Sequence, residues 1–292
     1  MKIPNKFNNS KRNLFINANT PLTEPYLLIY QQLEMHTEPL ILQTILFLIA
    51  TCANLLSAFS GGGAGLVQLP ALILLGLPFA KALATHKVAS VALGIGASIR
   101  YYNHRNLRPS IIAIILGFGL PGVLIGAGVI LSIPDKSATI LLGLLTLWLG
   151  IYSSKSPRLG KGNQKPSFSQ SEKIIGGIVI FIIGVLNGSL TSGTGLFLTM
   201  WLVAWFGLTY TNAIAYTLVL VGVVWNGTGA LVLGINADIQ WNWIASLFLG
   251  SLLGGYLGAH LSILKGDHLV KKAFEVISIL FGLSLFLKGL YI

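Results

Sequence analysis

The residues with the most chemistry to offer stand inside apolar runs. In the stretch 78–101, Thr85, His86 and Lys87 follow one another as a hydroxyl, an imidazole and an ammonium, and Lys81 lies nearer the start of the same run. Such a trio can hold an anion, because it combines a cation with hydrogen-bond donors. Two glycine-rich breaks carry a second anion-binding chemistry. Ser60-Gly61-Gly62-Gly63, followed by Gly65, interrupts one apolar run, and Ser192-Gly193-Thr194-Gly195 interrupts another. Each break precedes a short apolar segment and so presents a helix N-terminus, whose unpaired N–H groups and positive dipole end attract negative charge. Asn212, on the run after the second break, adds an amide, with Asn187, Ser189, Thr191 and Asn226 as further polar neighbours.

Plainer readings compete with each of these. The glycines can serve close helix packing. His86 can make a buried bond between helices, as can His260 in its own run, and Lys87 can reach for an interface, as Lys81 can from the end of the run. Lys87 nonetheless lies nine residues past Pro78, about 13 Å along a helix axis. That depth is near the middle of a bilayer, where a lysine costs about 2.5–3.5 kcal/mol on insertion scales, so a cavity or a partner is expected for it.

The elements that position these residues follow from composition. The chain has 292 residues, 54% of them hydrophobic and only 9% charged, with 34 glycines. Apolar segments recur at 40–59, 64–76, 78–101, 109–132, 136–153, 173–190, 194–207, 209–234, 242–264 and 268–290, most of them long enough to cross a hydrocarbon core of about 30 Å. The expected fold class is an all-α integral membrane protein. Segments 64–76 and 194–207 are too short for a full crossing, so each is expected to pair with its predecessor in a hairpin whose tip is the glycine break. Non-helical backbone is tolerated at such depth only inside protein or beside a wet cavity.

Residues 1–38 read as a polar tail with a short helix near Tyr26–Leu33, 39–153 as a first membrane repeat, 154–172 as a polar cytoplasmic linker, and 173–292 as a second repeat. The repeats align at a shift of about 130 residues: Gly63-Ala64-Gly65-Leu66 on Gly193-Thr194-Gly195-Leu196, Gly122 and Gly126 on Gly254 and Gly258, Asp135 on Asp267. Internal duplication of this kind is common in transporters. Basic residues cluster at 100–108, 155–173 and 265–272, which places those loops in the cytoplasm. Loop 101–108 is then internal and its counterpart 235–241 external. The two repeats are accordingly inverted, each a glycine-broken hairpin plus three transmembrane helices, with both termini outside.

The stretch SGGGAGLVQLPALILLGLPFAKALATHKVAS resembles the signature of the sulfite exporter family TauE/SafE, also called the 4-toluene sulfonate uptake permeases. The shared features are the glycine break at Gly61–Gly65, Pro70, Gly76-Leu77-Pro78 and the Ala82–Thr85 helix start. The resemblance covers about residues 40–290, more weakly in the second half. It departs from the family pattern at His86 and Lys87, where small or hydroxyl residues follow the Thr, and at Tyr216-Thr217-Leu218. The resemblance implies a membrane protein handling sulfite, sulfonates or related small anions.

Other classes are disfavoured. The net charge of +11 lies mainly between apolar runs, with no nucleic-acid motif around it. Carboxylates are lacking from 40–132, and Glu275 alone lies well inside an apolar run, which favours an anion over a cation as substrate. Catalytic motifs, a nucleotide-binding loop, metal ligands and cofactor signatures are not found, and Cys52 is a lone cysteine. The expectation is a secondary transporter in the cell membrane, the inner membrane in a bacterium, moving a small anion such as sulfite, thiosulfate or an organosulfonate across the lipid bilayer by alternating access. An anion channel is the alternative. Direction, the coupling ion (H+ or Na+) and homo-oligomer formation stay open.

Overall fold

The computed structural model describes residues 23–101, 107–155, 168–191, 193–265 and 267–291. By its contacts the chain divides into residues 1–42 and 43–292. In the first unit the described residues form the beginning of helix α1 (Thr23–Ser60), so the stretch 23–38 assigned to the tail by composition is helical. The second unit holds the rest of α1 and all later elements.

These are α2 (Ala64–Leu74), α3 (Phe79–Tyr101), α4 (Pro109–Ile130), α5 (Asp135–Lys155), α6 (Gln170–Ser189), α7 (Thr194–Ala204), α8 (Tyr210–Tyr216), a π-helical stretch Thr217–Trp225, α9 (Asn226–Asn236), α10 (Trp241–Lys265) and α11 (Asp267–Tyr291). Every regular element among the described residues is helical. Six helical stretches are long and apolar enough to cross a membrane, Asn212–Asn236 being one continuous stretch built of α8, the π turn and α9. The expected half-length segments are present as α2 and α7, each of 11 residues, about 16 Å long. Rows of exposed aliphatics, such as Ile174, Ile175, Ile178 and Ile182 on α6, supply lipid-facing surface.

Local sequence explains the ends. Pro109 opens α4, where its missing N–H is no loss. Ser169 and Glu172 close a capping box on α6, each side chain binding the other's backbone N–H. The two short helices are built differently: Gly63 and Gly193 occupy their N-cap positions and neither helix has a side-chain cap.

Packing between the two sequence halves is reciprocal. A Cβ on Gly254 of α10 would stand 2.4 Å from Thr51 O of α1, and one on Gly258 would stand 2.2 Å from Leu55 O. In the other half, a Cβ on Gly122 of α4 would stand 2.3 Å from Phe181 O of α6, and one on Gly126 would stand 2.1 Å from Val185 O. Each half thus lends its fourth helix to the first helix of the other, with small residues letting the backbones touch. The elements of equal rank meet directly. Gly143 of α5 packs on α11 beside Gly282, Gly94 of α3 abuts Gly222 of the π stretch, and Leu66 of α2 clusters with Leu196 and Met200 of α7.

Candidate functional site

The two glycine breaks meet. Gly61, Gly62 and Gly63 all have positive φ, which glycine adopts without a side-chain penalty, and they turn the chain from α1 into α2. A Cβ on Gly62 would fall 2.6 Å from Gly195 Cα, so the first turns of α2 and α7 pack backbone against backbone. Thr199 of α7 donates to Gly61 O at 2.6 Å and fixes the first tip against the second half.

Beside this contact lies a narrow cavity of about 30 Å³, room for about two water molecules. Gly62, Gly63 and Gly65 line it from one tip and Thr194 and Gly195 from the other. His86 and Ser90 line it from α3, Ser57 from α1, Asn187 from α6, and Thr217 and Asn226 from the π stretch and the start of α9. Leu93, Leu218 and Val221 add apolar surface to the lining. Two helix N-termini without side-chain caps therefore open on one space of mixed lining, and their N–H groups suit negative charge.

Lys87 is fully buried next to it. Its Nζ donates to Asn187 O at 2.7 Å, Asn187 Oδ1 at 2.8 Å and Asn226 Oδ1 at 3.1 Å. The amide orientation of Asn187 is set by its other bonds: Nδ2 donates to Thr194 Oγ1 at 2.9 Å, and that hydroxyl donates to Thr191 O at 2.8 Å. Thr191 has φ 60, the sole positive φ among the described non-glycine residues, a strained state for a β-branched side chain. The left-handed turn sends Thr191 N to Leu186 O at 3.0 Å. Asn187 O is thereby left to accept from Thr191 Oγ1 at 2.8 Å and from Lys87.

His86 belongs to a second polar branch. Its ring lies 3.1 Å from Ser90 Oγ through Nε2 and 3.2 Å from Gln68 Oε1 through Nδ1. Gln68 Oε1 also accepts from Asn54 Nδ2, which reaches Ser251 Oγ of α10 at 2.9 Å.

The other expected residues are placed elsewhere. Thr85 donates to Lys81 O and accepts from Gln240 N at 3.0 Å, tying α3 to the loop before α10. Ser60 donates back to Leu56 O within α1, Gly61 and Gly193 shape the tips, and Asn212 is half-buried in α8 outside the cavity lining. Ser192 lies outside the described residues. Ser57, Gln68, Ser90 and Thr217 entered the site unannounced. A spacing signal existed for two pairs, His86 with Ser90 and Asn54 with Ser57, each a polar pair on one face of an apolar helix.

The family profile for sulfite exporter TauE/SafE matches residues 46–285. A "Probable membrane transporter protein" of Haemophilus influenzae is 30% identical over 81% of this chain and 91% of its own length. The "Probable membrane transporter protein YfcA" of Escherichia coli K12 is 25% identical over 80% of this chain and 86% of its own. The "Probable membrane transporter protein YdhB" of Bacillus subtilis is 22% identical over 82% and 97%. No solved structure matches the chain. With apolar helices long enough to cross a bilayer and a profile match over most of its length, the chain belongs to the TauE/SafE sulfite exporter family and is a multi-pass membrane transporter.

Proposed function

We propose that the protein is a secondary transporter of a small, sulfur-containing anion such as sulfite, thiosulfate or an organosulfonate, working by alternating access with its two halves inverted. The observation that carries this reading is the meeting of two uncapped helix N-termini at one cavity, with the Lys87 ammonium held directly behind it. Backbone N–H groups, the Ser57, Ser90 and Thr217 hydroxyls and a nearby cation match an oxyanion, whose oxygens accept in several directions. A cavity that holds about two waters must widen to admit such an ion, which favours a rocking of one half against the other over a standing pore.

The test is uptake of labelled sulfite, thiosulfate and a small sulfonate into liposomes carrying the purified protein. Saturable uptake with counterflow supports the transporter and ranks the substrates. Single-channel currents would instead make it a channel, and no flux of any of the three anions would overturn the substrate class.

A further inference from the structure

Lys87 raises a question that anion binding alone does not answer. Its ammonium does not line the cavity; all three of its donors are spent on neutral oxygens, Asn187 O, Asn187 Oδ1 and Asn226 Oδ1, at 2.7–3.1 Å. Three converging oxygens with no acidic partner among the described residues form the kind of cage that takes a small monovalent cation. One of the three is a backbone carbonyl in the last turn of α6, at the negative end of that helix. Ends of broken helices, with carbonyls released from the helical ladder, are places where transporters coordinate coupling cations. The release here has a visible cause: the left-handed Thr191 sends its N–H to Leu186 O and leaves Asn187 O exposed to Nζ. The stem is accommodated as well, since a Cβ on Gly229 of α9 would crowd Lys87 Cδ and Cε at 3.2 Å.

We propose that Asn187 O, Asn187 Oδ1 and Asn226 Oδ1 form a monovalent-cation site that Lys87 fills with its own ammonium, as a tethered cation in place of a dissolved one. The cage joins three elements, α3 through the lysine, α6 through Asn187 and α9 through Asn226. Asn187 and Asn226 also line the anion cavity, so the resident charge stands one residue away from a bound anion. On the anion reading of that cavity, on which the transport role of the cage rests, the consequence is that anion binding and flux need no Na+ or K+. Removing the ammonium would then vacate a cage that a free cation can enter.

The experiment compares purified full-length wild type, Lys87→Ala and Lys87→Gln by thermal melting in choline, sodium, potassium, ammonium and methylammonium chlorides at one ionic strength. The expected result is a wild-type midpoint that is the same in all five salts. Lys87→Ala should melt lower in choline and gain several degrees, saturably, in at least one small cation, with ammonium strongest. Lys87→Gln, which refills the space with an amide, should gain nothing. Equal midpoints for Lys87→Ala in choline and in every small cation would overturn the proposal. If Lys87→Ala can be purified only in the presence of a small cation, the cage is supported; if it is lost in every salt while Lys87→Gln folds, the cage is refuted as a free-cation site. Sulfite uptake by the same proteins separates the two readings. Cation rescue without uptake of any anion removes the substrate assignment and keeps the cage, whereas wild-type uptake without rescue removes the cage alone.

Discussion

Gly62 and Gly195 stand backbone to backbone, with room for no side chain on Gly62: a Cβ there would come within 2.6 Å of Gly195 Cα. Gly62 also has φ 124, outside the range an L-residue adopts at low cost. Gly62→Ala should therefore cost about 1–3 kcal/mol by overpacking alone and separate the two tips. Thermal melting reads the first effect and anion uptake into liposomes the second; uptake at the wild-type rate would show that the tips need not touch.

Lys87→Met keeps most of the volume and removes the charge. Asn187 O keeps its bond from Thr191 Oγ1, whereas Asn187 Oδ1 and Asn226 Oδ1 lose their donor, at about 1–3 kcal/mol for each group left unsatisfied. The variant should melt well below wild type, and Asn187→Ala should be less than additive with it, because both delete the bond from Nζ to Asn187 Oδ1. Additive losses in the double variant would mean that the two residues act separately.

Thr191 separates backbone strain from hydrogen bonding. Thr191→Gly relieves the positive φ and forfeits the bond from Oγ1 to Asn187 O, so its stability should stay within about 1 kcal/mol of wild type. Thr191→Val keeps the β-branched strain and loses the hydroxyl, and should melt below the glycine variant. The reverse order would make the threonine conformation unimportant.

The proposed inversion of the halves has a direct test. In a Cys52→Ser background, which removes the exposed native thiol, Leu107→Cys and Asp238→Cys should react with an impermeant reagent from opposite sides of the membrane. Labelling of both from one side would make the repeats parallel.

The reciprocal glycine contacts predict matched damage. Gly122→Leu and Gly254→Leu each drive a side chain into a carbonyl of the facing helix, and both should reduce the folded fraction recovered from the membrane to a similar degree. A tolerated leucine at either position would break the correspondence between α4–α6 and α10–α1.

Much of this architecture was legible from composition and spacing. Apolar lengths located the helices, and the triple glycine at 61–63 marked a turn because no other residue adopts three successive positive φ values cheaply. The depth of Lys87 required a partner. The identity of that partner was not legible, since Asn187 is 100 residues away and Asn226 is 139. The π stretch Thr217–Trp225 was hidden for a different reason. Its sequence reads as an ordinary apolar helix, and its wider turn goes with the close approach of Gly94 to Gly222, which only the assembled halves reveal. Thr85, a hydroxyl beside a cation, reads as a ligand in the sequence, and its bonds in the structure go to Lys81 O and Gln240 N.

The exchange of helices between halves also governs how the chain can be made. Gln43 on α1 receives its bond from Ser246 on α10 across 203 residues, a gap that takes a ribosome about 10–40 s at about 5–20 residues per second. For nearly all of that interval Asn54 is already synthesised while its partner Ser251 is not. Insertion of α1 must therefore precede its final packing, and a nascent first half has no finished form to wait in. Chaperoning by the insertion machinery, or a temporary association among the early helices, has to cover that delay.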